Sequence, residues 1–154
     1  MLVGQITLAI FQEALRRTPN HKAAGLDGVL GLVLKHIPPA FHEAIHLLFQ
    51  AMAITWITPP TWLQSHIILL YKKGDPTRLD NYRLITLANA LYKIWTTCIV
   101  ILATDYIESR KILSPEQERF RAERSCDRAI THLGLCVEDA HSHKKGIVLC
   151  YLYF

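Results

Sequence analysis

Apolar positions recur along this chain with two different spacings, and the change of spacing marks out its parts. From Thr7 to Arg17, Leu8, Phe11 and Leu15 fall on one side of a helix, and Pro19 ends the pattern. Val29 to His36 is a short helical stretch stopped by Pro38-Pro39, and Asp27 is placed to cap it. Ala40 to Ile54 is a longer amphipathic helix, with Phe41, Ile45, Leu48 and Met52 on one face and Pro59-Pro60 behind it. The spacing then shortens. His66-Ile67-Ile68-Leu69-Leu70-Tyr71 and Arg83-Leu84-Ile85-Thr86-Leu87 are short, branched and apolar, which predicts two strands around the turn Lys73-Gly74-Asp75-Pro76. Helical spacing returns after Asn89, a candidate N-cap for a helix to about Ser109. Ser114-Pro115-Glu116-Gln117 has the form of a capping box opening a brief helix, and Ser125 can cap another over about Cys126 to His141. Beyond Gly146, Ile147 to Phe154 is a continuous apolar run, which predicts a strand buried on both faces. Helices with a short hairpin and one separate strand make an α+β fold.

Composition narrows the picture. A hydrophobic fraction of 51% supports a packed core rather than disorder. The net charge of +4 permits a phosphate or nucleic-acid partner without requiring one. The four cysteines, Cys98, Cys126, Cys136 and Cys150, show no C-x-x-C spacing, so no zinc ribbon is indicated. Gln5 interrupts the first apolar stretch and Arg16-Arg17 follow, unlike a signal peptide, so an intracellular chain with reduced thiols is expected. Leu91 to Ile107 contains Lys93 and Asp105 and reads as a buried helix rather than a membrane span, which needs roughly 20 apolar residues. No membrane partner is expected.

One metal motif stands in the chain. His42-Glu43-Ala44-Ile45-His46 matches H-E-x-x-H, whose histidines lie one helical turn apart and can share a zinc with the glutamate as base. A zinc metalloprotease is therefore a remote alternative. Phe49 and Met52 stand where an extended motif would place a glycine and a third histidine, and the simpler reading is a helix that happens to carry histidines.

Four further segments carry a resemblance. They are Lys22-Ala23-Ala24-Gly25-Leu26-Asp27-Gly28; Trp62 with Ile67 to Pro76 and Asn81-Tyr82-Arg83-Leu84-Ile85-Thr86-Leu87; Ser114 to Arg121 with Arg124-Ser125; and Tyr151-Leu152-Tyr153-Phe154. In order and spacing the set resembles the reverse transcriptases of non-LTR (LINE-type) retrotransposons, with their K-A-P-G-P-D-G-I, K-K-G-D…N-Y-R-P-I, Q-x-G-F-R-x-x-R-S and Y-L-D-F motifs. The resemblance implies the helical fingers region of such an enzyme, with a short antiparallel hairpin and the first palm strand. Residues 1–20 would be an N-terminal helix, 21–145 the fingers, and 146–154 the start of a truncated palm.

The same resemblance assigns roles. Lys72, Lys73 and Arg83 of the hairpin would contact the nucleotide triphosphate, Arg83 foremost because a planar guanidinium suits phosphate oxygens. The plainer reading of the two lysines is that they are solvated turn residues. Arg121, Arg124 and Ser125 would line the nucleotide and template path, or else simply cap a helix and face solvent. Complete relatives use Mg²⁺ held by aspartates, but the first of these positions is Tyr153 here. No F/Y-A-D-D turn occurs in these 154 residues. No cofactor is therefore expected for this chain, RNA or DNA is its expected partner, and a palm and thumb would be required for activity. Leu26 and Leu84 replace usual prolines, and Arg119 and Glu123 replace usual glycines, Arg119 in a turn that favours positive φ. Together these departures imply an inactive relic of a retrotransposon polymerase. The alternative is a module repurposed to bind RNA.

Overall fold

Thr7 opens the first helix. Its extended backbone turns in and its hydroxyl accepts the Ile10 N–H at 3.3 Å, starting α1 (Leu8–Arg17). The computed structural model describes residues 6–152, and the chain divides into two compact units, the first ending at Tyr106 and the second beginning at Ile107. After α1 come α2 (Gly31–His36), α3 (Pro39–Thr55), β1 (His66–Tyr71), β2 (Tyr82–Leu87), α4 (Ala90–Ser109) and α5 (Cys126–Ser142). The α+β expectation holds: the described residues combine helices with a two-stranded antiparallel sheet.

The first unit is built on aromatic packing. Phe11 from α1, Phe49 from α3, Ile94 and Cys98 from α4, and Ile6 are almost wholly buried. The Phe49 ring meets Phe11 at 5.6 Å, Trp95 at 5.4 Å and Trp62 at 6.2 Å between centroids, each edge-on. Edge-to-face pairs of this kind add roughly 0.5–1.5 kcal/mol apiece beyond area burial. Burial among these groups raises the Cys98 thiol pKa to about 11, so that sulfur stays protonated and inert.

The inward face of α3 differs from the expected one. Phe41 is 61% exposed and Leu48 40%, while Phe49, Met52 and Ala53 are buried and Ile45 packs against the core. The helix is rotated because His42 and His46 lie on its inner side. Asp27 also departs from expectation. Its carboxylate accepts the Val29 N–H at 3.1 Å in a local turn, and α2 starts later, behind Leu30, with no side-chain cap. Along α4, Ala90, Ile94, Cys98 and Ile101 form the buried stripe. By length and composition alone α4 is also apolar enough to cross a membrane.

Asn89 does not cap α4 through its side chain. Its amide donates to the Thr61 carbonyl at 3.3 Å, while its buried Oδ1 has no partner among the described residues. Gly25 lies hard against it. A Cβ at Gly25 would come within 2.4 Å of Asn89 Oδ1 and 2.6 Å of the Asn89 backbone nitrogen. Gly25 of the Lys22–Gly28 loop therefore serves close packing against the start of α4.

In the second unit α5 begins as expected, with the Ser125 hydroxyl accepting the Arg128 N–H at 3.2 Å. The expected helix after Ser114 is absent. Residues 115–116 form only a turn, closed by the Gln117 N–H to the Ser114 carbonyl at 3.0 Å. Positive φ falls on Phe120 (64°) and Glu123 (60°), not on Arg119. Both α4 and α5 end with a lysine in the left-handed place after the last turn, Lys111 at φ 50° and Lys144 at φ 51°. The next residue then bonds back, Ile112 N–H to Ile107 at 3.0 Å and Lys145 N–H to Ala140 at 2.8 Å. Residues 147–152 form no strand, because among the described residues no third strand partners them. The remainder of that expected strand, with Tyr153, lies outside the described residues.

Two glycine substitutions should separate packing from propensity. Gly25→Ala is expected to destabilise the chain by about 1–3 kcal/mol through overpacking. Gly134→Ala, mid-helix with nothing within 4 Å of an added Cβ, should stabilise it by roughly 0.5–1 kcal/mol. Urea denaturation of both variants checks the opposite signs.

Candidate functional site

The hairpin pairs Leu70 with Arg83 and Tyr71 with Tyr82. Side chains alternate across a strand, so Leu70, Lys72 and Arg83 share one face. The two tyrosines share the other, their rings 5.4 Å apart. The connecting loop is tied by neutral groups. Tyr71 donates its hydroxyl proton to the Gly74 carbonyl, Tyr82 to Pro76 at 2.9 Å, and Asn81 gives an amide proton to the Asp75 carbonyl at 2.8 Å. Gly74 is required here: its φ is 96°, and a Cβ would sit 2.9 Å from the Asn81 amide.

Lys72, Lys73 and Arg83 come together around an open recess of about 340 Å³, lined also by Leu70 and Tyr71. No carboxylate lines it. Asp75 accepts the Thr77 hydroxyl at 2.7 Å and its N–H at 2.9 Å, and these bonds hold its carboxyl below the usual range. Asp80 pairs with Arg78 at 3.4 Å. The Lys72 ammonium donates to the Asp80 carbonyl alone among the described residues, at 3.4 Å. Arg83 joins β1 through its backbone, and the Lys73 and Arg83 side chains make no hydrogen bond or ion pair among the described residues. The sequence-derived hairpin candidates thus form one uncompensated cationic recess.

Arg121, Arg124 and Ser125 are differently placed. The Arg121 fork grips Glu108 through two bonds of 2.8 Å and donates to the Ser114 carbonyl at 3.0 Å, leaving its side chain only 13% exposed. Arg124 bonds the Pro115 carbonyl and Glu118, the latter at 3.1 Å, and Arg128 reaches Glu118 at 3.4 Å. Ser125 is occupied as the α5 cap. These residues brace the second unit's loop. Glu108, Glu118 and Arg128 are the members that local motif reading missed, since the Arg121 pairing spans 13 residues.

No protein-family model matches the chain. Two curated relatives do. A probable RNA-directed DNA polymerase from transposon BS of Drosophila melanogaster is 28% identical over 140 residues, 90% of this chain. The RNA-directed DNA polymerase from the mobile element jockey, also of Drosophila melanogaster, is 26% identical over 99 residues, 64% of this chain. The chain is a relative of the RNA-directed DNA polymerases of non-LTR retrotransposons. The matches span 14% and 11% of the two Drosophila proteins.

The H-E-x-x-H segment of this relative of retrotransposon polymerases is tied into its own fold. His42 Nε2 bonds the Leu34 carbonyl and His46 Nε2 the Ile6 carbonyl, each at 2.8 Å, and both rings pack on Phe11. The two imidazoles tie α3 to neighbouring backbone, so each spends one ring nitrogen away from any zinc. Among the described residues no group of three or more His, Cys, Asp or Glu is arranged to hold a metal ion.

The Arg121–Glu108 pair gives a pH signature. Hydrogen bonds from Arg121 hold the Glu108 carboxyl below its ordinary value of 4.5. A carboxylate depressed in the folded state stabilises above its unfolded pKa, and that stabilisation is lost as pH falls through the folded value. The chain should therefore melt above its Glu108→Gln variant at neutral pH, and the gap should close as pH drops from about 7 to about 3. Thermal melts of both proteins across that range check it; a gap independent of pH counts against the pairing.

Proposed function

We propose that this chain is a fingers part of a retrotransposon reverse transcriptase, that its hairpin recess grips phosphates of a nucleotide or nucleic-acid strand, and that these 154 residues do not polymerise by themselves. The observation that carries the reading is the recess lined by Lys72, Lys73 and Arg83 with no carboxylate beside them. Free cations on a braced turn suit an anionic ligand, and an unpaired guanidinium can meet two phosphate oxygens at once. The names of the relatives supply the substrate class, nucleic acid.

Inactivity follows from the ligands that two-metal phosphoryl transfer needs. At the Y-L-D-F position this chain has Tyr153, a phenol with a pKa of about 10 that is a poor Mg²⁺ ligand at neutral pH. The residues present do not fit Mg²⁺, and no chemical step is routed through it. What remains is phosphate binding that is independent of sequence and weakened by salt.

Fluorescence anisotropy with a short single-stranded RNA tests the reading. Binding should fall linearly in log–log form with salt, and Arg83→Ala should lower affinity about 10-fold while reducing the salt slope by about 0.7. Primer extension with Mg²⁺ or Mn²⁺ should give no product. Affinity unchanged in Arg83→Ala, or templated incorporation by the purified chain, defeats the proposal.

A further inference from the structure

A second basic hollow lies in the first unit and shares no lining residue with the hairpin recess. Arg17 and Thr18 at the end of α1, Lys22 in the following loop, and Lys93 and Thr97 on α4 border a volume of about 80 Å³. No Asp or Glu lines it. Lys22 is exposed and makes no hydrogen bond or ion pair among the described residues. Lys93 reaches only the Ala23 carbonyl, at 3.4 Å, beyond the usual N–H···O distance. Arg17 gives its Nε to Glu13 at 2.6 Å, which leaves both terminal nitrogens available. Glu13 also pairs with Arg16, and its carboxyl is held at about 2 chiefly by those two guanidinium groups, so one anion serves two cations there.

Size and chemistry select the ligand class. At about 30 Å³ per water, the hollow has room for roughly three, the scale of one tetrahedral oxyanion. It falls well below the ~300 Å³ of pockets that enclose a whole small ligand. The two hydroxyls do not contribute their protons: Thr18 donates to Ala14 at 3.0 Å and Thr97 to Lys93 at 2.8 Å. Attraction there comes from the cations, whose gathering is self-repulsive until an anion joins them.

We propose that Arg17, Lys22 and Lys93 form a binding site for a single phosphate group, free or carried on a nucleic-acid strand, separate from the hairpin recess. The site does not depend on the hairpin reading. To keep the two apart, binding is measured in the full chain with Arg83→Ala present as well as absent. Inorganic phosphate is titrated at constant ionic strength, followed by calorimetry and by melting temperature. Phosphate should raise the melting temperature in both backgrounds. Lys22→Gln and Lys93→Gln should each weaken phosphate binding about 10-fold, the loss of one charge-assisted hydrogen bond. Lys93→Arg should retain it. Lys22 lies in an exposed loop, so Lys22→Gln carries the test if the Lys93 variant does not fold.

A second arm titrates a short single-stranded RNA into the same variants. Losses in both arms identify a strand phosphate as a ligand, and a loss with inorganic phosphate alone identifies free phosphate; either supports the site. Equal phosphate affinity in the parent and both glutamine variants overturns it, whatever the RNA arm shows. So does phosphate binding that disappears with Arg83→Ala alone.

Discussion

The hairpin hangs from a clamp at its base, and its position follows from that clamp. All six residues of β1 are exposed, including Ile67, Ile68, Leu69 and Leu70, so no burial of either face holds the hairpin in place. A lone two-stranded ribbon is marginal in water. What orders it is the junction where the chain enters and leaves. Thr61, just before β1, accepts the Asn89 amide just after β2. Trp62 beside it packs edge-on against Phe49 and Tyr92. Phe49 in turn joins α1 and α4, so four separate stretches of chain meet at one ring. Gly25 completes the junction by leaving space for Asn89 that no side chain could share.

Much of this was legible because local rules agree with the tertiary outcome. Ser125 caps the helix it is expected to cap, α1 falls within the amphipathic stretch that Leu8, Phe11 and Leu15 mark, and the branched runs around Lys73-Gly74-Asp75-Pro76 pair as a hairpin. Several of the departures turn on a distant partner. The α3 face was misjudged because His42 and His46 count as polar in a helical pattern, yet they donate to the backbone of Leu34 and Ile6 and pack on Phe11. Asn89 precedes α4 as a cap would, but its Oδ1 accepts no helix N–H, and its amide donates instead to a carbonyl 28 residues away. Ser114-Pro115-Glu116-Gln117 has the letters of a capping box without a periodic apolar run behind it. Residues 147–152 have strand composition, but a strand exists only where a neighbour accepts its hydrogen bonds.

The same reasoning applies to the departures from the resembled family. Glu123 stands at a usual glycine and takes φ 60°, a conformation that costs a residue with a Cβ roughly 1–2 kcal/mol. Arg119, at the other usual glycine, avoids that cost because the positive φ falls on Phe120 instead. The Arg119 guanidinium lies over the Phe120 ring at 5.3 Å. The Glu108–Arg121 and Glu118–Arg124 pairs tie this loop.

The two arginine-bearing regions named by the sequence differ in what balances their charge. In the second unit Glu108 and Glu118 take up Arg121, Arg124 and Arg128, and most of the resulting hydrogen-bonding capacity is consumed. In the hairpin the nearby carboxylates are diverted, Asp75 to Thr77 and Asp80 to Arg78. The turn is held instead by tyrosine hydroxyls and the Asn81 amide, which add no charge. Lys72, Lys73 and Arg83 therefore repel one another with nothing nearby to offset it, a cost to the isolated fold that a bound phosphate would remove. Under the proposed phosphate-gripping role, a turn braced by neutral groups leaves its cations free to meet an anion. That difference in charge balance, rather than the count of basic residues, is what favours the hairpin over Arg121 and Arg124 in the proposed role.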